Sequence, residues 1–296
     1  MFQSRRFVGL ALGFLGVVIF GGTFPATRLA VATLDPWFVT AVRATVAGLL
    51  AGLVLLVLRR PLPRAHVTSF AALTLCVVIG FPILSSLALM TVPSAHGGIV
   101  LALLPLATAA AAVIFAGERP SPAFWLFAAL GSAIVLAYAL HESHLQIVAG
   151  DIYLLLSVVV AAIGYAISGR LARTLPGWEV ISWALVFGLP VTIGATILFW
   201  PHDLAAVPLP AWLGVAYVAV MSQYVGFWAW NAALAMGGVA RISQVQLLQP
   251  FVTFVLSALV LGETISPEMI GFALAVVAVV ALGRRAAVKG PLPPEG

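Results

Sequence analysis

Apolar residues run through this chain in long blocks, and the polar residues between them come in short clusters. A helix that crosses a bilayer needs about 20 mostly apolar residues. Phe7–Thr27 is one such run. Trp37–Leu58 is a second, interrupted only by Arg43. Val67–Gly117 contains no Asp, Glu, Lys or Arg and is long enough for two helices, dividing at the turn-like Thr91-Val92-Pro93-Ser94. Pro122–Leu140, Ile152–Gly169 and Val180–Trp200 follow. Ala211–Met236 and Ile242–Gly262 come next, separated by Gly237-Gly238 and Arg241, and Pro267–Gly283 is last. The pattern predicts ten spans. A transmembrane barrel would need strands of about ten residues with alternating polarity; these runs are too long and too uniformly apolar. The first run follows Arg5-Arg6 as a signal peptide would. It continues past signal-peptide length with no small-x-small site, so a retained helix is expected.

Composition supports a lipid-facing exterior. Only 8% of the 296 residues are charged and 63% are hydrophobic, whereas a soluble domain carries about 25% charged residues. The net charge of +5 does not indicate a nucleic-acid groove, because the basic residues sit between apolar runs, where they set topology. If both termini are cytoplasmic, the inner segments hold Arg5, Arg6, Arg59, Arg60, Arg64, Arg119, Arg170, Arg173, Arg241, Arg284, Arg285 and Lys289, which are 12 of the 14 basic residues. The outer loops hold Asp35, Glu142, Asp203, Glu263 and Glu268. The expected arrangement is therefore N-in and C-in. The one cysteine, Cys76, lies in an apolar stretch and reads as packing.

The chain also repeats itself. Pro105, Thr108, Gly117-Glu118 and Ser121-Pro122 match Pro250, Thr253, Gly262-Glu263 and Ser266-Pro267, always 145 residues apart. Arg28 and Leu34–Trp37 match Arg170 and Leu175–Trp178 more loosely, at 141 or 142. Residues 1–145 and 146–288 are thus expected to be two copies of five helices, followed by a disordered tail, 289–296. Five is odd, so the second copy enters the membrane from the opposite side. Inverted repeats of this kind belong to secondary transporters, with the substrate near the midplane between the halves. The expected fold is an all-α integral membrane protein.

Gly21-Gly22-Thr23-Phe24-Pro25, Pro36-Trp37 with Arg43, and the two Gly-Glu pairs, the latter with Gly271 eight residues after its glutamate, are similar to the EamA type of the drug/metabolite transporter superfamily. The first copy has Leu126 where that glycine would fall. The resemblance covers about residues 7–285. It implies a bacterial inner-membrane exporter of amino acids, other metabolites or toxic cations. The aromatic-rich second half leans toward aromatic amino acid exporters of the YddG kind.

Polar residues inside spans are the candidate substrate contacts. Tyr217, Met221, Tyr224, Trp228 and Asn231 fall at three- and four-residue steps and would share a helix face. That face is either a cavity wall for an aromatic or cationic ligand or an interfacial belt. Gln246 and Gln249, one turn apart and continued by Thr253, are either cavity lining or interhelical glue. Thr23 and Phe24, with Tyr165 and Ser168, are further expected lining. His96 could carry a proton or be solvated near an outer helix end. Arg43 is expected to snorkel toward Asp35 as a structural ion pair or to meet a substrate carboxylate. Pro105 and Pro250 would kink their helices, either bounding the cavity or acting as hinges, and Glu118 and Glu263 cap helix ends in a structural or gating role. No Asp or Glu falls deep in a span, so coupling would run through His96, through a carboxylate at a helix end, or not at all.

No Walker sequence, metal-ligand spacing or Ser/His/Asp set is present, so neither cofactor nor metal nor enzymatic activity is expected. The expected partners are a small-molecule substrate and the bilayer, in a chain compatible with a monomer. The rivals are a multidrug exporter of lipophilic cations, a lipid-modifying membrane enzyme and a passive channel.

Overall fold

The computed structural model describes residues 2–142, 148–283 and 288–289. Among them, seven helices are long and apolar enough to cross a membrane: α1 (Phe7–Val31), α2 (Pro36–Val57), α3 (Arg64–Ala88), α4 (Ser94–Ala116), α6 (Ala149–Leu171), α7 (Gly177–Leu198) and α9 (Val239–Leu261). Three more helical segments occupy the remaining places in chain order: α5 (Pro122–Glu142), α8 (209–237) and α10 (Pro267–Gly283). Of the tail, Lys289 pairs with Arg119 in a two-residue antiparallel bridge; residues 290–296 lie outside the described residues.

Local chemistry sets the boundaries. Asp35 caps α2, its side chain accepting from the amides of Trp37 (2.8 Å) and Phe38 (3.2 Å), with Pro36 at the first helical position. Gly117 and Gly262 end α4 and α9 in the left-handed conformation, with φ of 68° and 67°, where a side chain would be strained. Leu56, Ile114 and Leu259 are each more than three-quarters exposed, as lipid-facing residues should be, whereas every residue of Ser94–Val100 in α4 is buried.

Irregular turns recur in the two halves. A π segment interrupts α3 at Thr74–Gly80 and α8 at Tyr217–Val225. A 3-10 segment interrupts α4 at Leu101–Leu103 and α9 at Gln244–Leu248. Pro105 and Pro250 each stand in the first turn of the α-helix that resumes afterwards, where a missing N–H costs least. Packing follows the same correspondence: α2 lies along α7, α5 along α10, α1 along α8 and α3 along α6.

Helix α1 is not continuous. It breaks at Gly22, between a segment ending at Gly21 and one beginning at Thr23, and the carbonyls before the break take side-chain donors. Ile19 accepts from the Tyr217 hydroxyl (2.8 Å), Phe20 from the Gln249 amide (3.5 Å) and Gly21 from the Thr253 hydroxyl (2.9 Å). Broken helices survive at membrane depth only where protein groups replace the missing bonds.

The α1–α8 contact depends on Gly214. A Cβ there would stand 2.4 Å from the Ala26 carbonyl oxygen, which cannot retreat, whereas a Cβ on Gly194 in α7 meets nothing within 4 Å. Gly214→Ala should therefore lower the thermal unfolding midpoint of the solubilised protein, and Gly194→Ala should leave it unchanged or raise it. Equal losses at both positions would contradict this packing.

Candidate functional site

A narrow cavity lies between the halves, with room for about one water molecule. The first half contributes Phe20, Thr23, Phe24, Arg43, Val77, Phe81 and Leu101 to its wall; the second contributes Tyr165, Ser222, Gln223, Phe227 and Gln249. The wall combines aromatic faces with a few hydrogen-bonding groups, as small-molecule sites do. Phe24 stacks on Phe81 (centroids 6.4 Å, 17° between planes), and Tyr165 meets Phe227 edge-on at 5.9 Å. Thr23 and Ser222 share a 2.8 Å hydroxyl contact across the halves.

Arg43 carries the only charge among these lining residues. The expected ion pair with Asp35 does not form: Asp35 Oδ1 caps α2, and the Arg43 side chain turns away from it into the bundle. Arg43 is instead 1% exposed and points inward, its Nη2 donating to Ser222 Oγ at 3.2 Å. Its Nε and Nη1 have no hydrogen-bond partner among the described residues.

Thr23, Phe24, Tyr165 and Gln249 thus come together at the cavity, and Gln246 is buried beside the Tyr165 hydroxyl. The other expected lining residues face elsewhere. Tyr224 bonds Ser182 of α7 (3.0 Å), and Trp228 packs on Tyr224 and Trp178. Ser168 donates to Asn231 Oδ1 (2.7 Å), and Asn231 Nδ2 donates to the Gly177 carbonyl (3.0 Å), joining α6, α8 and α7. The cause is the π segment at Tyr217–Val225. Its wider turn rotates all that follows, so steps of three and four no longer stay on one face. Ser222, Gln223 and Phe227 occupy the cavity side instead. The adjacent polar pair Ser222-Gln223, within an otherwise apolar run, was the sequence signal for them.

His96 lies off this cavity. Its Nε2 meets Asp151 Oδ1 at 2.8 Å, both side chains being buried, while Asp151 Oδ2 accepts from the Val148 amide. Asp151, in the first turn of α6, is a carboxylate at a helix end.

The two Gly-Glu pairs perform a reciprocal exchange. Glu118, after α4, accepts from the first amides of α9, Val239 (2.8 Å) and Ala240 (2.9 Å). Glu263, after α9, accepts from the first amides of α4, Ser94 and Ala95, both at 3.0 Å. A helix N-terminus offers unpaired N–H groups and a positive dipole end, and here each helix caps its partner. Arg173 approaches Glu118 at 3.8 Å, whereas the Ser94 hydroxyl donates to Glu263.

The model of the EamA-like transporter family matches residues 7–139 and again 148–284. The chain belongs to the EamA-like transporter family. It is a multi-pass bacterial membrane protein and a transporter, not an enzyme. Among its relatives is a Bacillus subtilis protein named "Uncharacterized transporter YdeK", 45% identical over 92% of this chain and 96% of that one. A "Probable terminal-alkyne amino-acid exporter" of Streptantibioticus cattleyicolor is 27% identical over 92% of each. A solved crystal structure with 20% identity superposes with a TM-score of 0.70, covering 94% of this chain and 98% of its own, and so shares the fold.

In this EamA-type transporter the glutamates stand at opposite ends of α4, whose 23 residues span about 35 Å. Glu118→Ala and Glu263→Ala should each destabilise the protein by roughly 1–3 kcal/mol per orphaned amide, and the double variant should lose the sum. Detergent-unfolding curves would show it; no loss at either site would contradict the caps.

Proposed function

We propose that this transporter exports amino acids or closely related small metabolites across the bacterial inner membrane, by alternating access between two inverted five-helix halves. The halves are residues 1–145 and 146–288, with ten spans and both termini in the cytoplasm. The observation that carries the reading is the cavity: it is narrow, draws its wall from both halves, and joins one cation and several hydrogen-bonding groups to aromatic faces. The matched π and 3-10 segments, the reciprocal glutamates and the pairing of corresponding helices support a two-fold relation between halves. A distant relative named as an amino-acid exporter supports the substrate class, and the phenylalanines and Tyr165 favour apolar or aromatic side chains. The cavity is complete within one chain, which favours a monomer.

A lipophilic-cation exporter fits less well, because the lining residues include Arg43 and no carboxylate. In alternating access, the ligand shifts the balance only by binding the two states differently. His96 with Asp151 is the pair best placed to carry a proton if transport is coupled.

Uptake of labelled phenylalanine, tryptophan, threonine and methyl viologen into proteoliposomes tests the reading. Saturable uptake of phenylalanine or tryptophan is expected. Phe24→Ala should weaken it about tenfold or more, and Trp228→Ala, away from the wall, far less. Uptake of methyl viologen alone would overturn the substrate class, and non-saturating flux in both directions would indicate a channel.

A further inference from the structure

We propose that Arg43 is the carboxylate-binding residue of the cavity, and that a carboxylate, not an amino group, is what a substrate must carry. The inference rests on the transport reading above and narrows it to amphiphilic carboxylates, with or without an amino group.

The argument begins with a charge out of place. Arg43 is almost completely buried, and a guanidinium inside a membrane protein is costly unless it is paired. Its nearest acidic residue in sequence, Asp35, is engaged with two backbone amides. Among the described residues it forms no ion pair, and Ser222 is its one hydrogen-bond acceptor. Two of its three nitrogens are left without an acceptor at the wall of a cavity. A ligand carboxylate would supply two acceptor oxygens and the missing negative charge together, in the two-pronged geometry that a guanidinium favours.

The opposite end of an amino acid has less to hold it. The lining residues offer no carboxylate for an ammonium group, and an acceptor left open among them, Gln249 Oε1, is neutral. Electrostatics therefore rank the two ends. Acid binding neutralises a lone buried cation, whereas amine binding adds a second positive charge beside it. Ser222 also touches Thr23 across the halves, so a carboxylate arriving at Arg43 competes for a hydroxyl bridge that joins them.

Four probes separate these roles: phenylalanine, 3-phenylpropionate, phenylalaninamide and phenethylamine. Binding of each to the purified full-length protein is measured by thermal shift and by inhibition of phenylalanine counterflow in proteoliposomes. Phenylalanine and 3-phenylpropionate should bind, with the amide and amine at least about tenfold weaker. In Arg43→Gln the ratio of 3-phenylpropionate to amide affinity should fall toward one, and Arg43→Lys, which keeps the charge but not the fork, should lie between. The ratio is internal to each variant, and the wild-type series decides the question even if a variant does not fold. Equal binding of phenylalanine and phenethylamine, or an unchanged ratio in Arg43→Gln, would overturn the role of Arg43 and leave the transport reading standing. Failure of both carboxylates to bind would overturn the two together.

Discussion

Hydrocarbon offers no hydrogen-bond partner, so every backbone group at membrane depth must be satisfied from within the chain. An unbroken helix meets this condition by itself. A helix that starts, ends or breaks in the interior does not, and this protein has several such places. At the break in α1, three successive carbonyls take donors from Tyr217, Gln249 and Thr253. At the starts of α4 and α9, glutamates from the opposite helix accept the free amides. These bonds run between halves, so the same groups that complete the backbone also tie the repeat together around its cavity.

Much of this was legible in the sequence. Charge depletion and run length announce a membrane protein, and the 145-residue offset pairs Glu118 with Glu263 before any geometry is known. The side-chain destinations were less accessible. Tyr224 and Trp228 obey an α-helical step on paper, yet a π turn directs them to α7 and leaves Ser222, Gln223 and Phe227 at the cavity. No residue type encodes a π turn strongly enough to be read locally. Arg43 and Asp35 look like partners by spacing and charge, but Asp35 caps α2 while Arg43 turns inward to Ser222. Of the expected contacts, Thr23, Phe24, Tyr165 and Gln249 are at the cavity; Thr23 and Phe24 follow the break in α1 and Gln249 follows the 3-10 stretch of α9, whereas Tyr165 stands in the regular helix α6.

The irregular segments bear on the proposed alternation of access. A 3-10 stretch followed by a proline places weak hydrogen bonding in the middle of both α4 and α9, while the glutamate exchange fixes their ends. Helices held at the ends and softened at the centre can bend without separating. The cavity sits beside that soft region, with Arg43 as the one charged residue among those lining it. The proposed alternation of access requires that one end of the bundle open while the other closes, with the anchored helices as the common pivot.

Double electron–electron resonance on spin-labelled protein in a Cys76→Ser background measures this directly. One label pair, Met90 with Leu204, reports the proposed outer end; the other, Leu62 with Arg241, reports the inner end. Phenylalanine should shift the two distance distributions in opposite directions, one lengthening as the other shortens. If a bound ligand lengthens both together, or moves neither, the two halves do not alternate.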